Sequence, residues 1–517
     1  MKIAIIGAGI SGLSAGCYLQ MNGFETEIYE KHSRPGGLCT TWKKGDYNFD
    51  GCIHWLLGSN ENNPIYSLWS ELIDMDPVEF VNHEARFHIE LKNNADKYGS
   101  KVFHLYNNLG RLEKYLLDLA PEDKRRIRKF IGMMRHIQRW EVPPEIKTPP
   151  SLFTFWQKIG MVKHLPLLLF MLRNKYITNY TFAAKLKNPF LKEAFELLFD
   201  GGEVALLVIT FPLAFSDLQA AGYPVGGSAK FAERITERYL SLGGKINYQS
   251  GVQEIMVKDD MATGLLLEDG REIKSDLVVS AADWHFTVFK ALKGKYVNQK
   301  LLDLHDGKKF RVYYSVINVS MGIGRPMNEM QHLSRFPLEK PLVSPDGTVF
   351  ERLEFHIYNY DPTLAPVGKT CASASFYTAN GDFWIDLYKN DRDKYDRARK
   401  DFAAEVIDIL DNKFGRIKEY LEVTDVATPA TYHQFTGNWQ GSVQGWMPGK
   451  NIMAPSPVKM QLPGLKNFYY ASHWSMPGGG LPTAVKSARD MARTIVARHG
   501  KTFIVPTFSQ DKHHQIK

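Results

Sequence analysis

The first thirty residues, MKIAIIGAGISGLSAGCYLQMNGFETEIYE, constrain the fold more than any other segment. An apolar strand-like run leads directly into Gly7, Gly9 and Gly12, a helical stretch follows, and a second strand-like run ends at Glu30. In such a βαβ unit the first glycine allows a tight turn, the second lets the backbone contact a pyrophosphate, and the third lets the helix pack on the strand. Glu30 can accept both ribose hydroxyls and disfavours a ribose 2′-phosphate. The segment therefore predicts a dinucleotide-binding domain.

Length and composition indicate a folded protein of more than one lobe. The chain has 517 residues, which exceeds one ordinary hydrophobic core. Its hydrophobic content of 44% and charged content of 23% are typical of globular proteins rather than disordered ones. The net charge of +8 allows attraction to anionic surfaces, but the sequence has no nucleic-acid-binding motif. We therefore do not expect nucleic acid as a partner.

The cysteines and the N-terminus favour a cytoplasmic protein. Cys17, Cys39, Cys52 and Cys371 show no CxxC spacing, which fits a reducing compartment. The chain starts with a strand-like segment instead of a signal peptide, and no apolar run reaches the roughly 20 residues that span a bilayer. The sixteen histidines show no HxxxH or HExxH arrangement, so no metal site is predicted.

The next segment, KHSRPGGLCTTWKKGDYNFDGCIHWLLG, indicates which dinucleotide is bound. Arg34, Gly36 and Gly37 are similar to the second glycine motif of flavoprotein oxidoreductases that bind FAD in an extended form. The resemblance implies FAD as the cofactor. A surface turn built on Pro-Gly-Gly is the alternative, and GDP-dissociation inhibitors share this fold without holding a flavin.

The middle of the chain, from GYPVGGSAKFAERITERYLSLGG onwards, resembles the family of phytoene desaturases, carotenoid isomerases and retinol saturases. In that family YPxGG opens a helix, a hairpin follows, and the chain returns to the FAD domain. Phe231, Ile235 and Leu240 have the spacing of one helix face. Val252 stands where the family has an adenine-side backbone contact, although an ordinary strand residue is the alternative.

A third motif lies near the C-terminus, in YYASHWSMPGGGLPTAVKSARDMA. Three consecutive glycines, Gly478 to Gly480, indicate positive φ or a close backbone approach, and Pro482 suits a first helical turn. The stretch resembles the family's closing motif, in which the glycine loop lies along the flavin. Ser472 and His473 replace the Gly and Asp of many relatives, so their ribityl hydrogen bond is not assigned here. A tight turn between strand and helix is the alternative.

Together, the motifs and the resemblance predict a set of cofactor-binding residues and two catalytic candidates. The cofactor-binding set is Gly7, Gly9, Ile10, Ser11, Gly12, Glu30, Lys31, Arg34, Gly36, Gly37, Val252, Ala281, Ser472, Gly478, Gly479, Gly480, Leu481 and Pro482. His54 is the first catalytic candidate, because the retinol saturase branch carries a similar FDxGxH segment near the flavin. His473, beside the glycine loop, is the second. For both, a purely structural histidine is the alternative.

The predicted fold is α/β: a doubly wound, Rossmann-like FAD-binding domain of the extended-FAD type, with a discontinuous substrate domain of antiparallel sheet plus helices. The FAD-binding domain comprises 1–85, 215–300 and 455–500. A helical region for substrate and membrane contact comprises 86–214, the substrate-domain sheet and helices 301–454, and a polar tail 501–517.

Two adjacent segments predict peripheral membrane contact through residues Lys124 to Lys175. EDKRRIRKFIGMMRHIQRW concentrates positive charge, and SLFTFWQKIGMVKHLPLLLFMLRNKY follows with aromatic and aliphatic residues. Acidic headgroups attract the first kind of segment, and the acyl boundary accepts the second. A solvated helix followed by a core helix is the alternative. Membrane contact would place the protein on the inner face of a membrane.

The resemblance implies an FAD-dependent oxidoreductase acting on carbon–carbon double bonds of an apolar isoprenoid or polyene substrate. The reaction is saturation, isomerisation or desaturation, and the His54 segment favours the first two. A flavin needs little from the protein beyond positioning and exclusion of water, so the lack of a catalytic triad is no objection. The alternatives are an amine or porphyrinogen oxidase on the same scaffold, or a flavin-free carrier of lipid groups resembling GDP-dissociation inhibitors.

Overall fold

A computed structural model describes residues 1–139, 148–199, 202–447 and 458–506. The predicted domain boundary at residue 455, most of the predicted tail and the centre of the predicted membrane-contact region lie outside these residues.

The strands of the described residues form five sheets. The strands are β1 (Lys2–Ile6), β2 (Glu25–Tyr29), β3 (Thr41–Lys44), β4 (Tyr47–Asp50), β5 (Leu56–Leu57), β6 (Phe80–Val81), β7 (Ala85–Glu90), β8 (Val102–Tyr106), β9 (Ala221–Pro224), β10 (Lys245–Asn247), β11 (Val252–Lys258), β12 (Met261–Leu267), β13 (Glu272–Lys274), β14 (Leu277–Ser280), β15 (Ser315–Ile323), β16 (Leu333–Val343), β17 (Val349–Ile357), β18 (Thr370–Thr378), β19 (Leu421–Ala427) and β20 (Phe468–Tyr470).

The helices lie between these strands and cover their faces. They are α1 (Ile10–Met21), α2 (Tyr66–Ser70), α3 (Leu109–Leu119), α4 (Lys124–Gln138), α5 (Phe155–Gly160), α6 (Leu165–Asn174), α7 (Asn179–Ala183), α8 (Pro189–Glu196), α9 (Leu207–Asp217), α10 (Gly227–Ser241), α11 (Gln299–His305), α12 (Gly381–Asn390), α13 (Arg392–Phe414), α14 (Pro429–Thr436) and α15 (Gly480–Arg498).

A five-stranded parallel sheet, in the order β10-β2-β1-β14-β20, forms the centre of the dinucleotide-binding domain. Its β1 and β14 are short, buried runs of apolar residues, as expected for strands covered on both faces. Helix α1 packs against both α10 and α15. Of the predicted apolar face of α10, Phe231 and Ile235 are buried, whereas Leu240 is exposed. The predicted Rossmann-like architecture is therefore confirmed.

A second sheet of seven strands, in the order β19-β15-β18-β17-β16-β7-β8, forms the substrate domain. The predicted antiparallel pairing of β15, β17 and β18 is confirmed. The prediction that 86–214 is a helical region is wrong for its first part, because β7 and β8 join this sheet. β7 pairs in parallel with β16, so the sheet is mixed rather than purely antiparallel.

The helical region proper begins at α3 and packs against the edge of the mixed sheet. Helices α3, α4, α8 and α9 and strands β7 and β8 share one apolar cluster. The parallel sheet, its helices and the mixed sheet enclose the site described next.

Candidate functional site

The tight turn after β1 prepares the N-terminus of α1. Gly7 has a φ of +92°, and its N–H donates to the carbonyl O of Tyr29 at 2.9 Å. A Cβ on Gly12 would lie 1.9 Å from the carbonyl O of Gly7, whereas a Cβ on Gly9 would have no heavy atom within 4 Å. The packing of α1 therefore requires glycine at position 12, and Gly9 borders open space where the unpaired N–H groups of the helix begin.

The second glycine motif lies against the first. The Gly36 N–H donates to the carbonyl O of Ala8 at 2.9 Å. Gly36 and Gly37 have φ of +107° and +60°, and a Cβ on Gly37 would lie 3.3 Å from the Cα of Gly9. Arg34 is exposed and donates to a backbone carbonyl of β3 at 3.2 Å. The two glycine turns thus form one surface, and the Arg34 side chain is not part of it.

Glu30 lies at the carboxyl end of β2 with its carboxylate fixed by the backbone. Its Oε2 accepts from the Ala8 N–H at 2.7 Å and its Oε1 from the His32 N–H at 2.8 Å. Burial raises the pKa of Glu30, and the two N–H donors oppose that shift. The carboxylate thus lies beside the chain that enters α1, where its oxygens can accept hydrogen bonds from the two hydroxyls of a ribose.

The glycine loop at the C-terminal end of the site opens α15. Gly478, Gly479 and Gly480 have φ of +83°, +46° and +83°, so all three adopt the positive φ that the sequence predicted. The Nε2 of Gln444 donates to the carbonyl O of Gly478 at 2.6 Å, and a Cβ on Gly479 would lie 2.0 Å from the carbonyl O of Gln444. Helix α15 begins at Gly480, two residues before Pro482.

These segments line a cavity of about 840 Å³. The predicted residues on its wall are Gly7, Gly9, Ile10, Ser11, Glu30, Lys31, Gly36, Gly37, His54, Val252, Ala281, His473, Gly478, Gly479, Gly480, Leu481 and Pro482. Of the described residues predicted for this site, Gly12, Arg34 and Ser472 do not line it. Gly12 lies behind the turn, and Ser472 is buried, where its Oγ accepts from the Trp474 N–H.

The wall is suited to a dinucleotide with a flavin. The α1 N-terminus and the glycine turns offer backbone N–H groups and positive dipole ends, without side chains, to a pyrophosphate. Glu30 offers acceptors to a ribose, and the N-terminus of α15 faces the far part of the same cavity. A side chain at position 9 would project into space that is free of protein atoms. The donor set therefore fits FAD.

The two histidine candidates both border the cavity. Each has a buried nitrogen, His54 Nδ1 or His473 Nε2, for which the described part of the chain offers no hydrogen-bond partner. Burial lowers the pKa of His473 to about 4. Burial also lowers the pKa of His54, and the negative charge of Asp50 opposes that shift. Both imidazoles are therefore neutral at pH 7, and each could accept or donate one hydrogen bond to a ligand.

Sequence reasoning missed a group of aromatic and imidazole rings behind His54. The His54 and His356 rings are 5.1 Å apart, the His83 and His332 rings stack at 3.7 Å, and His356 Nε2 lies 3.0 Å from the Tyr360 hydroxyl. Burial lowers the pKa of His83 to about 4. Burial and, to a smaller extent, the neighbouring His83 lower the pKa of His332 to about 2. These residues come from four separate segments, so no local spacing indicated them.

The part of the cavity away from the glycine motifs is largely apolar. Its wall includes Phe87, Leu198, Val204, Leu207, Phe211 and Leu333. Two arginines interrupt this surface. Arg335 donates to Glu354 from Nε at 2.7 Å and from Nη2 at 2.6 Å, whereas Arg86 is buried and makes no ion pair with any carboxylate of the described residues.

Comparison with known proteins gives a family match over most of the chain. Residues 10–496 match the family described as flavin containing amine oxidoreductase. The chain is 24% identical to prolycopene isomerase 2, chloroplastic, of an Oncidium hybrid cultivar, over 96% of this chain and 84% of that protein. It is 22% identical to 4,4′-diapophytoene desaturase (4,4′-diapolycopene-forming) of Methylomonas sp, over 97% of this chain and 96% of that protein.

The fold also resembles solved structures. A crystal structure of an oxidoreductase from Methanosarcina mazei superimposes with a TM-score of 0.58 at 16% identity, covering 96% of this chain and 100% of that one. At this level of identity the likeness concerns the fold alone.

Proposed function

We propose, since this chain belongs to the flavin containing amine oxidoreductase family, that it binds FAD and acts on carbon–carbon double bonds of an apolar isoprenoid or polyene substrate. The observation that carries the proposal is the cavity itself. Glycine motifs from three distant segments and a largely apolar wall from the substrate domain meet around one space. The relatives with carotenoid isomerase and desaturase names support the substrate class.

Each part of the cavity has a defined task in this proposal. The glycine turns and the N-terminus of α1 hold the pyrophosphate, Glu30 binds the adenosine ribose, and Val252 contacts the adenine side. The loop Gly478–Gly480 lies along the flavin. When bound, FAD supplies the acceptor or donor of hydride equivalents. The apolar wall excludes water and orients the substrate chain.

His54 and His473 are the residues proposed to act on the substrate. Each has a ring nitrogen that forms no hydrogen bond with any described residue, and each borders the cavity. A neutral imidazole can transfer a proton to or from a carbon atom of the substrate, or it can form a hydrogen bond with a polar group of the substrate. Either task requires direct contact with the substrate and is independent of the FAD-binding residues.

The alternative functions differ from the proposed one in the charge of the substrate, in the product or in the presence of flavin. An amine is a cation at neutral pH, and the unneutralised Arg86 would repel it. A porphyrinogen oxidase carries the same FAD motifs, and product analysis separates it from the proposed function. A flavin-free carrier would purify without the yellow colour of a flavoprotein.

The test is to purify the protein, measure its flavin content, and incubate it with polyenes that contain cis double bonds. Reactions run separately under air and with a chemical reductant, and mass spectrometry distinguishes loss of two hydrogens, gain of two hydrogens, and unchanged mass with altered geometry. We expect stoichiometric flavin and one of these three products. Protein that folds without flavin, or flavoprotein that oxidises amines and leaves every polyene unchanged, would contradict the proposal.

We also propose that the protein contacts membranes through the predicted region Lys124–Lys175. Helices α5 and α6 expose a series of large apolar side chains, an unusual property for a surface that faces only water. These exposed side chains are Phe155, Trp156, Ile159, Leu165, Leu168, Leu169 and Leu172. No helix of the described residues is long and apolar enough to cross a bilayer. The contact proposed is therefore peripheral.

The basic helix α4 supplies the charged half of this contact. Arg125, Arg126 and Lys129 of α4 are exposed, and the His136 ring lies 4.7 Å from the Phe170 ring of α6. The chain after α6 runs beside a segment of the cavity wall, because the carbonyl O of Ile177 accepts from the Leu206 N–H at 2.8 Å and the next residue, Leu207, lines the cavity. We place the protein at the cytoplasmic face of a membrane, in keeping with its four unpaired cysteines.

A further inference from the structure

Arg86 is a buried guanidinium on the largely apolar part of the cavity wall. Arg86 is 6% exposed and belongs to β7, where it precedes Phe87. One Nη donates to the Ser216 Oγ at 3.3 Å, while Nε is buried and has no hydrogen-bond partner among the residues that the structure describes. The guanidinium carbon lies 4.1 Å from the centre of the Trp55 ring. Arg86 and Trp55 both line the large cavity.

Within the described part of the chain, no carboxylate forms an ion pair with Arg86. The neighbouring Arg335 is neutralised by Glu354. The carboxylate of Asp50, also on the cavity wall, accepts instead from Ser228 and from the Tyr223 hydroxyl at 3.2 Å. Burial and the nearby Arg335 lower the pKa of Arg86 to about 9, so it remains a cation at neutral pH. A buried charge without a partner is strongly unfavourable.

A water molecule could satisfy only part of this demand. Beside Arg86 lies a second cavity of about 30 Å³, also lined by His83 and Asn107, whose Nε2 and Oδ1 are buried without partners. A polar cavity of this size can hold one water molecule. Water there would complete the hydrogen bonding of Nε, but it would bring no negative charge. A ligand in the large cavity can supply the counter-charge, which no carboxylate of the described residues supplies.

We propose that Arg86 binds a carboxylate at one end of the substrate, so that the substrate is an isoprenoid or polyene acid rather than a hydrocarbon. This inference rests on the proposed function and specifies its substrate class. The planar guanidinium presents paired N–H donors that match the two oxygens of a carboxylate. Phe87 and Leu333 on the same wall would contact the apolar chain next to that group.

The test compares two ligands with the same polyene chain, one with a charged carboxylate and one with a neutral ester. All-trans-retinoate and its methyl ester are titrated into the flavin-loaded protein, and binding is measured by calorimetry and by quenching of tryptophan fluorescence. We expect the wild type to bind the acid at least about tenfold more tightly than the ester, as for a charge-assisted hydrogen bond in a buried site. Equal binding of acid and ester by the wild type would overturn the inference.

Variants of Arg86 then test whether this residue causes the preference for the acid over the ester. Arg86→Gln should remove the preference for the acid and leave ester binding within about twofold, because it removes the charge and keeps an amide donor. Arg86→Lys should retain a reduced preference, and it covers the case in which the glutamine variant fails to fold. A preference that survives Arg86→Gln undiminished would also overturn the inference.

Arg111→Gln is the matched control. Arg111 also stacks on an aromatic ring, at 4.0 Å from the centre of Tyr106, but it is exposed and paired with Glu84 outside the cavity. Its loss should leave the acid-to-ester ratio unchanged. Flavin content is measured on every sample. A flavin-free protein would contradict the proposed function, whereas a fully flavinated wild type without acid preference would contradict only the assignment of Arg86.

Discussion

At the scale of single residues, Gly9 and Gly12 at the start of α1 serve different purposes, which the sequence motif alone does not distinguish. A side chain at Gly12 would meet the backbone of Gly7 at 1.9 Å, and a side chain at Gly9 would meet no protein atom within 4 Å. The φ of Gly9 is −69°, which any residue can adopt. Position 12 therefore determines packing, and position 9 determines what the cavity can hold.

We predict that Gly9→Val folds normally and purifies without colour. The valine side chain would occupy the pyrophosphate position proposed for FAD. Gly12→Val should instead destabilise the protein by more than about 3 kcal/mol, because the rigid backbone of the turn cannot move away. Thermal unfolding of the flavin-free proteins and the flavin absorbance of the purified ones measure the two effects.

Comparison of flavin-free proteins is necessary because a bound ligand itself raises the melting temperature. A Gly9→Val protein with full flavin content and a normal spectrum would contradict the assignment of this turn to the pyrophosphate. A Gly12→Val protein as stable as the wild type would contradict the packing role.

At the scale of elements, the glycine loop before α15 combines a turn with a cavity wall. Gly479 approaches Gln444, whose carbonyl O would lie 2.0 Å from a Cβ at that position, whereas a Cβ on Gly480 would have its nearest neighbour at 3.7 Å. We predict that Gly479→Ala destabilises the protein by about 2–4 kcal/mol and Gly480→Ala by about 1 kcal/mol, the cost of positive φ alone. Chemical denaturation measures both values, and equal losses would contradict this account.

The short π-helix Phe286–Ala291 depends on a buried carboxylate at its start. Asp283 accepts from the Phe286 N–H at 2.9 Å and from the Trp439 N–H at 3.0 Å. Burial raises the pKa of Asp283 from 3.8 to about 6, against the effect of these donors. The folded protein thus binds this proton more readily than the unfolded chain does. The contribution to stability is fully present below pH 4 and is lost as the pH rises through 6.

We predict that Asp283→Asn removes this part of the pH dependence. The shift of about two pKa units corresponds to about 3 kcal/mol of unfolding free energy between pH 4 and pH 7. The asparagine variant should lose about 1 kcal/mol at low pH, because its amide group cannot accept both N–H groups. Denaturant unfolding of both proteins across this range is the measurement, and parallel pH profiles would contradict the prediction.

Elements fixed by local spacing were the ones that the sequence could predict. The turn at Gly7, the helix α10 after YPVGG and the start of α15 near Pro482 all follow from residues within about twenty positions of one another. Strand β7 could not be placed in this way, since its partner β16 is more than two hundred residues away, and β8 joins the sheet only through β7. The contact of Gly479 with Gln444 and the isolation of Arg86 likewise depend on tertiary packing, which a motif does not encode.

At the scale of the whole molecule, the surface formed by α4, α5 and α6 supplies two weak membrane anchors. Burial of two leucine side chains in an acyl layer contributes about 3–6 kcal/mol, and attraction of a basic helix to anionic lipids acts over a Debye length of about 8 Å at physiological salt. Neither contribution gives permanent insertion. Association should therefore be reversible and should depend on both salt and lipid charge.

We predict that the protein sediments with anionic vesicles at low salt and is released as salt rises. Leu168→Ser together with Leu169→Ser should lower the fraction bound at every salt concentration by tenfold or more, because both side chains are half exposed on α6. Arg125→Glu together with Arg126→Glu should abolish the preference for anionic over neutral vesicles.

Val367→Ser, which changes a fully exposed apolar residue outside this region, is the control and should bind as the wild type does. Equal recovery of the wild type with neutral and anionic vesicles at all salt concentrations would contradict the electrostatic half of the contact, and unchanged binding of the double serine variant would contradict the apolar half.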